Sequence, residues 1–285
     1  MHCFLLSRRR TMQHMKNLIA DQFGVRLRKT SLLCTLLLFL DAPRLLPEPT
    51  PAANSAFNTY CAAVESRLVY QHHSTTAFLA AVDGHRLYPG ELILEHVTEP
   101  NQTLTFPGAL LHHWRGTAFA PGAKAADFER LMRDFNSFTQ HFSPEVVQAS
   151  VLSHRGDHIQ AAMRIRQHHI ITVVMDTTYD IDFHPVEMGH GYSISHSTRI
   201  TEVTSPGTKA ERSLTASEEH GFLWRLNTYW SYEERDSGLC LQIEAVSLSR
   251  SIPNGLGWAI APYVESIPRE SLEFTLHSAI NALRK

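Results

Sequence analysis

Three adjacent histidine pairs, His72-His73, His112-His113 and His168-His169, are the residues whose type and spacing most invite a chemical reading. Histidine ligates metals and exchanges protons near neutral pH. Two of the pairs fall in stretches that read as strands, where neighbours point to opposite faces, so neither chelates one ion well by itself. His190 and His196 share strand parity but stand too far apart along an extended chain to share an ion. No H-E-x-x-H spacing occurs. A metal site is left only as one assembled across strands, and solvated or hydrogen-bonded histidines are the expectation. Gly191-Tyr192-Ser193-Ile194-Ser195 comes near a G-x-S-x-G elbow without matching it, and no strand-to-helix turn is expected there, so a Ser/His/Asp hydrolase is not signalled. Arg199, Arg225, Asn227 and Glu244 are the remaining polar residues of interest. On the inside of a cavity, Arg199 or Arg225 could hold a carboxylate or phosphate. On the outside they are solvated sheet residues, and register puts Arg225, Asn227 and Glu244 there. His196 differs, because it shares parity with Tyr192, Ile194 and Ile200, and a polar group on an apolar face needs a partner.

The elements that must position these residues are legible as periodicity. Ala56 to Tyr70 lacks a helix breaker and reads as a helix, and Gly90 to Val97 is a short strand candidate. Ala109 to Ala120 reads as a strand ended by Pro121-Gly122. Phe128, Leu131, Met132, Phe135, Phe138 and Phe142 recur at intervals of three and four, one apolar helix face, stopped at Ser143-Pro144. Strands then follow in series. In the fifth candidate Val173, Met175, Thr177, Tyr179, Ile181 and Phe183 share one face, with Asp176, Asp180 and Asp182 on the other, the alternation of a half-buried antiparallel sheet. Trp224 to Arg250 is a hairpin turning at Asp236-Ser237-Gly238. A two-residue turn sets Trp224, Leu226, Thr228, Trp230 and Tyr232 with Leu241, Ile243 and Ala245; a one-residue slip would mix the two faces, so the two-residue turn is favoured. Ser266 to Lys285 closes the chain as an amphipathic helix with Pro268 in its first turn and Leu272, Leu276, Ala279, Ile280 and Leu283 in one stripe.

Of 285 residues, 43% are apolar and 19% charged, ordinary for a folded domain. The net charge of -2 offers no whole-chain attraction to nucleic acid. Arg26, Arg28 and Lys29 precede a largely apolar run, Ser31 to Leu40, and a small-residue stretch. This is a signal-peptide pattern, too short for a membrane span of ~20 residues. Residues 1–53 are therefore expected to be leader and Pro-rich linker, and the protein to be exported to the periplasm or the extracellular space; retention at the membrane by an uncleaved leader is the alternative. Residues 54–106 read as a helix and strand appendage. After cleavage Cys61 and Cys240 would remain, able to form one disulfide if they lie close enough.

The stretches from Gly116 to Leu152, Arg225 to Gly238 and Gly255 to Leu276 together resemble the START/Bet v 1-like superfamily, also called SRPBCC or polyketide cyclase/lipid transport. The resemblance covers residues 107–285 and rests on element order and pattern, not on a catalytic motif. It implies an α+β helix-grip, a curved antiparallel sheet wrapped around a long C-terminal helix, with a hydrophobic cavity between them. It implies binding or carriage of a hydrophobic small molecule or lipid, with no cofactor, no metal and no catalysis required. Trp114, Met163, Tyr179, His196, Trp230 and Ile243 are the expected sheet residues of the cavity, and Leu272, Leu276 and Ile280 its helix residues. Transient membrane contact would suit lipid exchange. The rivals are a cyclase or hydrolase using His196 as acid or base, and a protein-interaction module whose cavity is filled by its own side chains.

Overall fold

The protein is described from a computed structural model covering residues 48–74, 77–80, 91–99, 104–168, 171–187, 189–252 and 257–284, with side chains for all of these except 187 and 257–263. The leader expected within 1–47 lies outside the described residues. Helix α1, Pro51–His72, begins with a side-chain cap: the Thr50 hydroxyl accepts the Ala53 N–H at 3.0 Å, and Pro51 sits where a missing N–H does no harm. The expected boundary at 53/54 therefore falls inside the first turn of this helix. Strand β1, Leu92–His96, pairs with β2, Ala109–Pro121, so the stretch before residue 107 contributes a strand to the main sheet.

The phenylalanine-rich stretch forms two helices instead of one. Helix α2, Ala125–Arg133, ends at Asp134, whose ψ of 69° leaves the helical region. A 3₁₀ turn, Phe135–Ser137, and a single-turn helix α3, Phe138–His141, follow. The apolar face survives the break, with Phe128, Leu131, Phe135, Phe138 and Phe142 all buried. Then come β3 (Val146–Arg155), β4 (His158–His168), β5 (Thr172–Glu187), β6 (His190–Thr204), the two-residue β7 (Arg212–Ser213), β8 (Arg225–Arg235), β9 (Gly238–Arg250) and helix α4 (Gly257–Leu283).

All strand pairings are antiparallel, in the order β1-β2-β9-β8-β6-β5-β4-β3 with β7 beside β6. The β8–β9 hairpin has the two-residue turn. Arg235 pairs with Gly238, Trp230 with Ile243 and Tyr232 with Leu241. Asp236 and Ser237 both have positive φ, 52° and 60°, the backbone of a type I′ turn.

The sheet is open and curved, and α4 lies in its inner face as the helix-grip expectation requires. Glycine makes the close approach: a Cβ on Gly116 would collide with Leu276 of α4. Helix α4 starts about two turns earlier than expected, so Pro268 lies in its interior and deprives the Val264 carbonyl of its usual N–H partner. Tyr179, Ile181, Phe183, Trp230, Tyr232, Leu239, Leu241 and Ile243 pack with Leu272, Leu276, Ala279, Ile280 and Leu283 into the main core. The outer face is covered too. Phe57, Tyr60, Cys61, Val64 and Leu68 of α1 pack on Tyr229, Val246 and Leu248, so the central strands are buried on both sides. Trp224 precedes β8 and joins this outer cluster, against the expectation that it shares the Trp230 face.

Candidate cavity and the polar face behind it

The inner face has two halves, and the difference is side-chain size. Toward the β8–β9 turn it carries Trp230, Tyr232, Leu239, Leu241 and Ile243, which fill the space under α4. Toward the other end, the same rows continue as Thr228 and Leu226 on β8 and as Ala245, Ser247 and Ser249 on β9, beside His112 on β2. Small residues leave a gap that the helix cannot close. The result is a cavity of about 410 Å³, roofed by Val264, Ile267, Pro268, Ser271, Leu272 and Thr275 of α4 and flanked by Ile171, Val173 and residues 220–223. This is within the range of small-molecule sites, about 300–1,000 Å³. Gln167 ties the end of β4 to the roof through its amide, which donates to the Ser271 hydroxyl at 2.6 Å.

One wall is a loop held by a single buried carboxylate. Glu202 accepts the backbone N–H groups of His220, Gly221 and Phe222 at 2.9 to 3.2 Å, and the His220 ring at 2.7 Å. Gly221 has φ +75°, and a Cβ there would meet Arg250 and the Trp224 ring at 2.8 to 3.0 Å, so only glycine passes at this point.

Of the nine residues expected to line the cavity, Leu272 does so. Tyr179, Trp230, Ile243, Leu276 and Ile280 are solid core in the filled half; being large, they occupy space instead of leaving it. Trp114 shares the inner face with Ala245 and stacks edge-on against His96 at 5.2 Å; its indole N–H is buried without a partner among the described residues. Met163 borders a separate hollow of about 490 Å³ near β3–β6, alongside Arg164, Asp176 and Arg199.

His196 is the clear correction. It shares a face with Tyr192 and Ile194, as parity requires, but that face is the outer one: Nε2 donates to Glu65 of α1 at 2.8 Å. A bulge between β5 and β6 near Thr178 and Tyr179 offsets the pairing there, and α1 makes an apolar outer row favourable.

The second correction concerns Asn227 and Glu244, which are outward as expected but far from solvated; Glu244 is 1% exposed. Arg67 of α1 forms a two-pronged ion pair with Glu244 and reaches Glu99 at 2.8 Å. His113 Nε2 donates to Glu244 at 2.9 Å, while Tyr60 donates to His113 Nδ1 at 3.0 Å. Burial opposes ionisation of Glu244, but hydrogen bonds from His113 and Arg67 prevail and hold its pKa down to about 2. Beside them, Glu65 accepts from both His196 and Tyr229; burial works against its charge, and these two bonds keep its pKa below the ordinary value. Glu99, His113 and Glu244 offer ligating atoms within 4.8 Å of one another. The Arg67 guanidinium already bridges the two carboxylates there, supplying the positive charge such a cluster needs. Adjacent His112 and His113 thus serve opposite faces, one in the cavity wall and one in the ion-pair cluster. Cys61 and Cys240 are both buried free thiols, and burial pushes that of Cys61 up to about 12.

No family model matches the chain, and no curated protein does. Among solved structures, a protein from Thermus thermophilus is 12% identical, covering 59% of this chain and 94% of its own, with a TM-score of 0.44. A STAR-related lipid transfer protein from Xanthomonas axonopodis is 17% identical over 67% and 99%, TM-score 0.40. The Zhui aromatase/cyclase from Streptomyces sp. R1128 is 10% identical over 61% and 92%, TM-score 0.39. These figures add nothing on activity; the fold is established by the strand order and the gripped helix.

Proposed function

We propose that this protein binds or carries a hydrophobic small molecule in the cavity under α4, without catalysing its conversion. One observation carries the reading: the inner face changes from bulky to small residues at Ala245, Ser247, Ser249 and Thr228, directly beneath a helix that presents Val264, Ile267 and Leu272. A volume of about 410 Å³ suits one hydrocarbon chain or a few fused rings better than a two-tailed lipid. The enzyme alternative built on His196 loses its geometry, since His196 lies on the opposite side of the sheet from the cavity.

Native mass spectrometry followed by solvent extraction tests this. A retained apolar mass that Ala245→Trp displaces is expected. A clean apo mass with no uptake from a mixture of lipids, quinones and sterols would refute it. Export is part of the proposal, and N-terminal sequencing of the mature protein checks it: a terminus between 41 and 55 is expected, and an intact leader contradicts export.

A further inference from the structure

On the sheet floor of the cavity His112, Ser247 and Ser249 form a compact polar patch, within a lining whose other polar side chains include Thr228, Ser271 and Thr275. His112 is 7% exposed, and its Nε2 meets only the Ser249 hydroxyl, at a long 3.4 Å. The Ser247 hydroxyl has no partner among the described residues although Ser247 too is 7% exposed. Both groups line the cavity, so an occupant that displaces water from it must supply their hydrogen bonds. Burial, with His96 nearby, lowers the His112 pKa despite the opposing pull of Glu265. At neutral pH the imidazole is therefore uncharged, with one donor and one acceptor nitrogen. Two hydroxyls and a neutral imidazole match an uncharged oxygen that accepts or donates. They match an anion poorly, for no fixed positive charge lies in the patch; Arg250 borders the cavity at its edge.

Building on the ligand-binding reading above, we infer that the occupant carries a single uncharged hydrogen-bonding oxygen, an alcohol or a ketone, seated on His112, Ser247 and Ser249 with its hydrocarbon body under α4. Hydrocarbon length gives affinity, and the patch fixes which end goes in.

The test is a competition among probes of equal chain length. The full chain is incubated with dodecane, 1-dodecanol, 2-dodecanone and dodecanoate, re-isolated and extracted, and each bound amount is normalised to its free concentration. The alcohol and ketone are expected to exceed dodecane by about three- to tenfold, the worth of one or two net hydrogen bonds. Ser247→Ala combined with Ser249→Ala, and separately His112→Phe, should bring that ratio toward one while dodecane uptake persists. Equal retention of all four probes overturns the anchor and leaves the cavity reading intact. So does dominance of dodecanoate that Arg250→Gln abolishes. Retention of no probe overturns the cavity reading and the anchor together.

Discussion

Replacing Glu244 with glutamine should destabilise the protein by about 3 kcal/mol at neutral pH, and the size follows from its surroundings. The side chain is almost wholly buried, paired with Arg67 and hydrogen-bonded by His113. Its pKa stands near 2 against an ordinary 4.5, and at about 1.4 kcal/mol for each tenfold this amounts to about 3 kcal/mol. The sign is fixed by the depression. The contribution is fully present above 4.5, where both folded and unfolded chains are ionised, and it is lost as pH falls through 2. Urea unfolding followed by tryptophan fluorescence at intervals from pH 7 to pH 2 measures it. The wild type should lose stability steadily between pH 4.5 and 2, and Glu244→Gln should be less stable at pH 7 but flatter over that interval. Arg67→Met should be worse, at about 3–5 kcal/mol, because it removes the ion-pair partner that the buried Glu99 and Glu244 share. A Glu244→Gln protein with wild-type acid sensitivity in that interval would refute the reasoning.

His72 is buried, stacks on Tyr192 at 4.0 Å and bonds Ser231, and burial lowers its pKa to about 4. A base with a lowered folded pKa leaves stability unchanged above 6.5 and subtracts from it as pH falls from 6.5 toward 4, by up to about 3 kcal/mol; His72→Phe should shrink that higher-pH phase in the same titration to what the buried His112 contributes, and a phase of unchanged size would exonerate His72. Glu202→Gln should loosen the loop at 220–222, raising hydrogen exchange there at least about tenfold because charge-assisted bonds are lost; unchanged exchange would mean the loop is held by something else. Trp230→Ala should cost about 3–5 kcal/mol, read as a lowered urea midpoint, yet leave ligand uptake in place, since Trp230 packs on Phe128 in the filled half; loss of uptake without loss of stability would move the cavity.

Periodicity carries most of the architecture. Alternation in β5 and in the Trp230 hairpin is sharp enough to set register and turn length, because a slip of one residue exchanges the faces. What alternation cannot say is which face meets which helix. His196 has the right companions on the wrong side, because α1 makes the outer face apolar as well. Glu244 reads as solvated for the same reason: its partner Arg67 lies 177 residues away, in a stretch that looks like an appendage. Aromatic residues are poor guides to the cavity, because they fill space. Its real signature is Ala245-x-Ser247-x-Ser249, where a row of large inward residues turns small.

That 177-residue span between Arg67 and Glu244 has a consequence for biogenesis. At synthesis rates of about 5–20 residues per second, roughly ten to thirty-five seconds pass between the emergence of α1 and of the strand it docks on. For that interval α1 can meet Glu99 and His113 but not Glu244, Val246 or Leu248, and a helix in a protein draws most of its stability from packing an apolar face. Helix α1 is thus among the last elements to finish docking. A chain cut short before residue 238, whatever sheet it assembles, would lack β9, the strand that carries Glu244, Val246 and Leu248 of the floor beneath α1.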